Sequence, residues 1–299
     1  MQDRRIDLEE LVLLLEKGDS LPSLPTVFTR VLQLARDRGS SMRDFADVIR
    51  ADPPLAMKVL QVVNSALYAP PQPITSLTHA LTMLGVNEVR RLALSLSLIN
   101  KFSPPPCGGV IPRNDFWEHA VTTAYVARRI AQTAFPKSEE ELYTCGLLHD
   151  LGYLLIERTS PMRLSMAVQL AASSGKDIAE AERALVGADH TTAAEWLLRK
   201  SGLPEELVQA VAGHHTPSLD KLSWRTVIWA AARYSSSNGL GVFRTSAPGR
   251  LQDDNWRRFW ELIAPMAGVD EDIYMAELSS ALEKGRHFFS TVLSGEHVH

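Results

Sequence analysis

The chain has 299 residues, of which 45% are hydrophobic and 22% charged, and its formal net charge is −4. This composition is that of a globular protein and excludes extensive disorder. No stretch has the ~20 apolar residues that a membrane helix requires, and the acidic balance argues against direct nucleic-acid binding. The first residues lack the apolar core of a signal peptide, and two cysteines supply no disulfide framework. We therefore expect a cytoplasmic protein without a membrane association.

Apolar residues in the first hundred positions recur with the period of an amphipathic helix, and the alternation typical of β-hairpins is absent. Asp7 is a candidate cap for a helix that stops at Gly18, and Asp52, followed by proline, begins another. Ser76 precedes a third helix, which ends at Gly85. This half is predicted to fold as short antiparallel helices joined by tight turns.

A segment rich in proline and glycine, residues 103–109 (SPPPCGG), cannot continue a helix and indicates a boundary. Helical periodicity resumes beyond it, so the predicted fold class is all-α. Helices are expected around 115–134, 139–157, 161–174, 177–187, 189–201, 204–215 and 223–237, followed by a loop over 238–255. We predict a helical N-terminal subdomain over 1–102, a connection over 103–115, a helical bundle on which the subdomain packs over 116–240, and a loop with closing helices over 241–299.

Five of the nine histidines lie between positions 119 and 215, and one of them, His149, directly precedes Asp150. Imidazole nitrogens and carboxylate oxygens suit Zn, Fe, Mn and related ions, and ligands on facing helices can converge inside a bundle. Neighbours on one helix point about 100° apart, so this pair would serve two ions, or one ion and an orienting role. The sequence predicts one metal-binding pocket formed by His119, His149, Asp150, His190, His214 and His215.

Other polar residues have simpler structural interpretations. Cys145 lies one helical turn before His149 in an apolar segment, which favours a small core residue over a nucleophile. Asn64 and Ser65 follow an apolar helix, and Ser65 has no neighbouring base. Satisfaction of backbone groups at a helix end explains this pair better than ligand binding does.

Two blocks of sequence resemble the HDOD domain, a branch of the HD superfamily of metal-dependent phosphohydrolases. Residues 51–68 (ADPPLAMKVLQVVNSALY) resemble that family's DP…L…NSA-Y stretch, and residues 74–85 resemble the continuation of it. The opening LPSLP at 21–25 also matches. The resemblance covers roughly residues 20–240, because the second half carries the superfamily's order of His119, His149-Asp150, His190 and His214-His215.

Two departures from the superfamily concern charged groups. HD phosphohydrolases usually supply a late Asp as a metal ligand, but Ala232 occupies that position, and no carboxylate occurs between Trp224 and Gly249. Relatives that hydrolyse cyclic di-GMP carry a lysine three residues after their HD aspartate, where this chain has Tyr153. They also carry a GYP triplet, which is absent after His215. Hydrolysis of cyclic di-GMP is therefore not expected.

The resemblance implies a bacterial-type signal-transduction and regulatory protein, which binds signalling proteins or a nucleotide-like ligand without turnover. The competing hypothesis is a metal-dependent phosphohydrolase, and whether the chain is an enzyme stays open, although the regulatory function is preferred. In the enzyme, one ion would be held by His119, His149 and Asp150, and a second ion or a phosphate by His190, His214 and His215. The resemblance implies a divalent cofactor, Fe, Zn, Mn or Mg, and leaves open whether the ion is retained.

Overall fold

The computed structural model describes residues 12–13, 23–37, 39–103, 109–243 and 253–294. The described residues form helices and turns without strands, which confirms the all-α prediction. None of the described helices has both the length and the apolar character needed to cross a bilayer. The chain divides into two compact units, one built on Leu24–Pro104 and the other on Pro105–Gly285, and the described residues from Arg286 onward belong to the first.

Two predictions concern segments that the structure describes only in part. The helix predicted between Asp7 and Gly18 lies outside the described residues apart from two positions, 12 and 13, which are helical. The loop predicted over 238–255 contains the segment 244–252, which is also outside them, and the next helix begins at Asp254.

The unit over Leu24–Pro104 has helices that begin at the predicted caps. Oδ1 of Asp52 accepts a hydrogen bond from the backbone N–H of Leu55, and Oγ of Ser76 accepts one from His79, both at 3.1 Å. The helices of this unit are α1 (Thr26–Arg36), α2 (Met42–Arg50), α3 (Pro53–Val63), α4 (Leu77–Leu84) and α5 (Val86–Phe102).

Asn64 and Ser65 close helix α3, as predicted, by bonding to the backbone. The Asn64 side chain donates to the carbonyls of Leu60 and Ile74, each at 2.8 Å, and accepts from the N–H of Ile74 at 2.6 Å. Oγ of Ser65 donates to the carbonyl of Val62 at 2.6 Å. The pair therefore fixes the connection between α3 and the segment before α4.

The unit over Pro105–Gly285 is a bundle in which α6 packs against α7 and α13, and α8 packs against α11. Its helices are α6 (Arg113–Ala134), α7 (Glu139–Leu148), α8 (Leu151–Thr159), α9 (Pro161–Ser174), α10 (Ile178–Leu185), α11 (His190–Lys200), α12 (Glu205–Ala212), α13 (Trp224–Ser237), α14 (Asp254–Ala267) and the part of α15 (Glu271–Ser294) up to Gly285, with a 3₁₀ turn at Pro136–Ser138.

Two glycines allow the close helix contacts that bring the predicted site together. A Cβ on Gly146 of α7 would lie 2.7 Å from Cα of Ala124 in α6. A Cβ on Gly152 of α8 would lie only 1.8 Å from the carbonyl oxygen of His190 in α11. Neither position leaves room for a side chain, so glycine permits both backbone contacts. Cys145, beside the first of these contacts, is fully buried, which confirms its prediction as a core residue.

The prediction of one continuous helix over 139–157 was wrong, because the chain turns at His149 and Asp150. Helix α7 ends at Leu148, Asp150 has φ −99° and ψ 4°, and α8 begins at Leu151. The turn brings Nε2 of His149 within 3.2 Å of Oδ2 of Asp150. The two side chains therefore converge on one point instead of diverging by the expected ~100°. The apolar residues on both sides continue without a gap, which hides the turn in the sequence.

Glu157, near the end of α8, is fully buried and holds the start of α6. Its Oε1 accepts hydrogen bonds from the backbone N–H groups of Val110 and Ile111, at 2.6 and 2.7 Å, and its Oε2 pairs with the guanidinium of Arg113. A buried carboxylate needs such compensation. The network fixes where α6 enters the bundle.

Candidate metal centre

The carboxylate of Asp150 lies between four imidazole rings. Its Oδ2 is 3.4 Å from Nε2 of His119 and 3.2 Å from Nε2 of His149. Its Oδ1 is 3.5 Å from Nε2 of both His190 and His214. All five side chains are buried. The structure therefore brings the four histidines, contributed by α6, the α7–α8 turn, α11 and the turn after α12, to a single carboxylate.

His215, the remaining predicted residue, lies beside this cluster and is partly exposed. Its ring centroid is 4.8 Å from that of His190 and 4.5 Å from that of His214, and its Nδ1 is 3.0 Å from Oδ2 of Asp177. Within the described part of the chain, two groups have ligand atoms close enough together to hold an ion. They are His119–His149–Asp150 and His190–His214–His215.

Backbone carbonyls fix the orientation of three imidazole rings. Each carbonyl lies at hydrogen-bond distance from an Nδ1 atom, in the pairs His119 with Leu240 (2.6 Å), His149 with Gly146 (2.8 Å) and His214 with Val211 (2.7 Å). A carbonyl oxygen only accepts, so Nδ1 carries the proton and Nε2 keeps a free lone pair. Metal-binding histidines are usually held in this way.

His190 is held by a carboxylate instead. Its Nδ1 and its backbone N–H both bond to Oε2 of Glu182, at 2.6 and 3.0 Å, and neither side chain has any exposed surface. Nε2 of His190 is buried and has no hydrogen-bond partner among the described residues. Buried polar atoms normally have a partner, so this nitrogen has the environment of a ligand atom.

The spacing of the cluster fits a metal ion. Bonds of about 2.1 Å from a metal to nitrogen or oxygen place neighbouring ligand atoms roughly 3.0–3.4 Å apart. The Nε2 atoms of His119 and His149 are 3.2 Å apart, and the separations around Asp150 run from 3.2 to 3.5 Å. Imidazole nitrogens with one carboxylate are a donor set for divalent transition ions. The His/Asp cluster could therefore bind a metal.

Burial and neighbouring charge spread the pKa values of these groups apart. Burial would raise the pKa of Asp150, but the imidazoles around the carboxylate, His149 first among them, hold it well below its ordinary value. Burial lowers the pKa of His119 to about 4 and that of His214 to about 3. Burial acts in the same direction on His190, but the carboxylate of Glu182 outweighs it and raises the pKa to about 9.

These values predict that metal uptake at His190 releases a proton. With a pKa of about 9, metal-free His190 is protonated at pH 7.5, and a protonated nitrogen cannot be a ligand. We expect affinity at the His190–His214–His215 group to increase with pH up to about 9, while His119, with a pKa of about 4, is already neutral. Calorimetric titration of the metal in buffers of different ionisation enthalpy measures the number of protons that are released on binding.

The control is Glu182→Gln, which removes the charge that raises the pKa of His190, so less proton should be released. Heats of metal binding that do not depend on the buffer would contradict this prediction.

The raised pKa of His190 also affects the stability of the metal-free protein. A histidine whose pKa is raised in the folded state stabilises that state fully at pH values below its unfolded pKa of about 6.5. That contribution is lost as pH rises through about 9.

A cavity of about 690 Å³ opens beside the cluster, and its lining contains both positions that depart from the superfamily. Ala232, on α13, supplies a methyl group where a carboxylate was expected in related hydrolases. Tyr153 lies against His190, with ring centroids 3.9 Å apart and an angle of 15° between the planes. Burial raises the pKa of Tyr153 well above its ordinary value, so its phenol is neutral and supplies no cation.

The sequence analysis missed two carboxylates. Glu182 lies on the buried face of α10 with Ala179 and Ala181, and a glutamate on such a face was the available signal. Asp177 entered the sequence analysis only as the first residue of the helix expected over 177–187. It does cap α10, through the N–H of Ala179, but its other oxygen holds the imidazole of His215.

Comparisons with known proteins agree with this fold. The HDOD domain model matches residues 21–217. An HDOD domain protein with unknown function from Geobacter sulfurreducens is 24% identical, with 96% of this chain and 99% of that chain covered and a TM-score of 0.77. A candidate phosphohydrolase from Shewanella amazonensis SB2B is 21% identical, with 93% and 97% covered and a TM-score of 0.70. These two likenesses show the fold.

A curated relative from Treponema pallidum (strain Nichols), described only as an uncharacterized protein, is 21% identical over 206 residues. The alignment covers 67% of this chain and 38% of that relative. The domain match extends over more than half of the sequence and includes the DP…NSA-Y stretch and all six residues of the candidate centre. The chain therefore belongs to the HDOD-domain family.

Proposed function

We propose that the chain is a regulatory signal-transduction protein whose His/Asp cluster holds a divalent metal. Its cavity binds a nucleotide-like ligand without turnover, and the bound form acts on signalling proteins. The observation that carries the proposal is the environment of Asp150. Four Nε2 atoms face this one carboxylate, while the cavity beside it has Ala232 where hydrolases supply a second acidic ligand. The site thus has the ligands to bind a metal ion but lacks an acidic group that related hydrolases use in catalysis.

The donor set favours Zn, Fe or Mn over Mg. Magnesium prefers oxygen ligands and retains several waters, whereas neutral imidazole suits the transition ions. A bound ion of this kind would supply a Lewis acid that polarises a phosphoryl oxygen and lowers the pKa of water. The chain's own residues orient the ligands: Glu182 holds His190, and Asp177 holds His215.

Two features of the cavity argue against catalysis. Phosphoryl transfer gathers negative charge that fixed cations and metal ions must meet. Tyr153 is neutral at the position where the cyclic di-GMP hydrolases have a lysine, and Ala232 supplies no late carboxylate to a metal ion. Loss of one preorganised charge-stabilising group can reduce a rate by ~10²–10³.

A second candidate function, metal-dependent phosphohydrolysis, is favoured by the complete set of histidines. The Asp177–His215 pair lines the cavity, and its imidazole is oriented by the 3.0 Å hydrogen bond to the carboxylate. An oriented imidazole of this kind can take a proton from water. This hypothesis therefore remains the alternative that an activity measurement must exclude.

We predict that the metal-loaded protein will hydrolyse neither cyclic di-GMP nor a panel of phosphate mono- and diesters at ordinary enzyme rates of ~1 s⁻¹ or more. The measurement is release of phosphate or nucleotide after loading with Zn, Fe or Mn. The matched control for the variant His149→Ala/Asp150→Ala is His79→Ala/Asp220→Ala, because both control residues are exposed. Turnover at ~1 s⁻¹ that the first variant abolishes and the second retains would make the protein an enzyme.

A further inference from the structure

We propose that α13 and the α9–α10 connection form a subsite for an organic phosphate that carries a flat ring. Arg233 and Lys176 bind the phosphate, and Trp229 stacks on the ring. All three residues line the cavity beside the His/Asp cluster. The inference rests on the proposed function, because the ligand shares this cavity with the metal centre, and it identifies the ligand's chemistry and the residues that recognise it.

The charges that line the cavity favour an anion. Arg233 and Lys176 are the cations among its described lining residues, and the carboxylates there are Asp150 and Asp177. Asp150 is enclosed by imidazoles, and Asp177 is held by a histidine. The acidic groups of the lining are therefore engaged with histidines, whereas the two cations pair with carboxylates that are not among the lining residues, Asp253 and Glu180. Two cations match a phosphate dianion better than a monoanionic carboxylate.

Arg233 has hydrogen-bond donors beyond the one that it uses in its ion pair. Its Nη2 pairs with Oδ2 of Asp253, and its Nε is buried and has no hydrogen-bond partner among the described residues. A guanidinium has five N–H donors in a planar fork, so pairing with one carboxylate oxygen leaves donors on the terminal nitrogens for a second anion. Lys176 pairs with Glu180 at 3.0 Å, but this bridge is exposed and therefore weak. An incoming phosphate can engage both cations.

Trp229 precedes Arg233 by one helical turn and provides a ring surface. The guanidinium carbon lies 5.8 Å from the centroid of the indole, and the ring also contacts Phe259, with 6.4 Å between centroids. The neighbouring lining residues Ala232 and Ala172 are small, which leaves space over the cavity side of the helix. Aromatic side chains in such positions stack on planar rings with little preference among them.

The size of the space agrees with this ligand class. Pockets for small molecules and cofactors measure about 300–1,000 Å³, and this cavity is about 690 Å³. An inorganic phosphate would fill a small part of it and leave Trp229 uncovered. A ligand with both a ring and a phosphate uses the indole and the cations together.

The test measures binding of the four ribonucleoside 5′-monophosphates, the free nucleosides, ribose 5-phosphate and inorganic phosphate to the metal-loaded full chain by calorimetry. At least one monophosphate should bind tenfold or more tightly than its nucleoside and than ribose 5-phosphate. Arg233→Gln should remove most of the advantage over the nucleoside, and Arg233→Lys should restore part of it. Trp229→Leu should remove the advantage over ribose 5-phosphate.

The chain supplies a matched control on the surface of α11, where the ammonium of Lys200 lies 4.7 Å from the ring centroid of Trp196. Lys200→Gln and Trp196→Leu should leave every affinity unchanged. All variants should keep the metal content of the wild type, which excludes misfolding as the cause of lost binding.

Monophosphates that bind no better than nucleosides, or that bind equally to the Arg233 and Trp229 variants, would overturn the subsite even if the metal is held. Monophosphates that bind as expected and are then hydrolysed at ~1 s⁻¹ would support the subsite and overturn the proposed absence of turnover. The two failures are therefore distinguishable.

Discussion

The Asp150→Asn variant is expected to lose its metal, with affinity reduced by at least ~100-fold. Loss of a partner that only orients a ligand costs about 10–100-fold, and Asp150 faces four imidazole nitrogens directly. The amide keeps the shape of the carboxylate and removes its charge, so the comparison isolates electrostatics. Elemental analysis after dialysis, together with calorimetric titration of Zn, gives the change in affinity.

Two further variants provide a comparison for the loss of metal affinity in Asp150→Asn. Asp177→Asn weakens the hold on His215 without removing a group next to Asp150, so we expect a smaller reduction, about tenfold. Asp220→Asn changes an exposed carboxylate that pairs with Arg258, and it should bind metal as the wild type does. Retention of wild-type affinity in Asp150→Asn would show that the ion is held elsewhere.

The Gly152→Ala variant is expected to be destabilised by about 3 kcal/mol or more, because overfilling a packed contact costs 1–3 kcal/mol and sometimes more. The new Cβ would lie 1.8 Å from the carbonyl oxygen of His190 and 2.9 Å from the backbone nitrogen of Ala194. Both atoms belong to the backbone of α11, so no side-chain rotation relieves the overlap. Alanine's better helix propensity offsets only ~1 kcal/mol of this cost.

Chemical denaturation of the metal-free protein measures the change in the free energy of unfolding. Gly241→Ala is the matched control, because a Cβ there meets its nearest described neighbour at 3.6 Å, an ordinary contact. If Gly152→Ala unfolded at the same denaturant concentration as this control, the contact between α8 and α11 would not be as close as described.

The sequence was sufficient for the features that depend on local pattern. Asp52 and Ser76 were recognisable as caps because a short polar side chain before an apolar run has one common role. Asn64 was recognisable in the same way, from its place at the end of a helix. The fold class followed from periodicity, which extends through both units.

The details of the candidate centre depend on contacts between distant elements. The carbonyl of Leu240 accepts a hydrogen bond from His119, which is 121 positions away in the chain. Every residue has a backbone carbonyl, so the sequence does not indicate which one will be the acceptor. Glu182 faces His190 because α10 and α11 fold against each other, although the glutamate looks like an ordinary helix residue in the sequence. The turn at Asp150 was hidden because leucines continue the apolar pattern through it.

Elemental analysis of the purified protein, prepared without chelators, tests the metal centre most directly. We predict at least one transition-metal ion per chain at pH 9, because His190, whose pKa is about 9, is then neutral in a large fraction of the molecules. The same preparation of Asp150→Asn should contain none. A wild-type protein that is metal-free as purified and takes up no Zn, Fe or Mn at that pH would contradict the assignment of this cluster as a metal site.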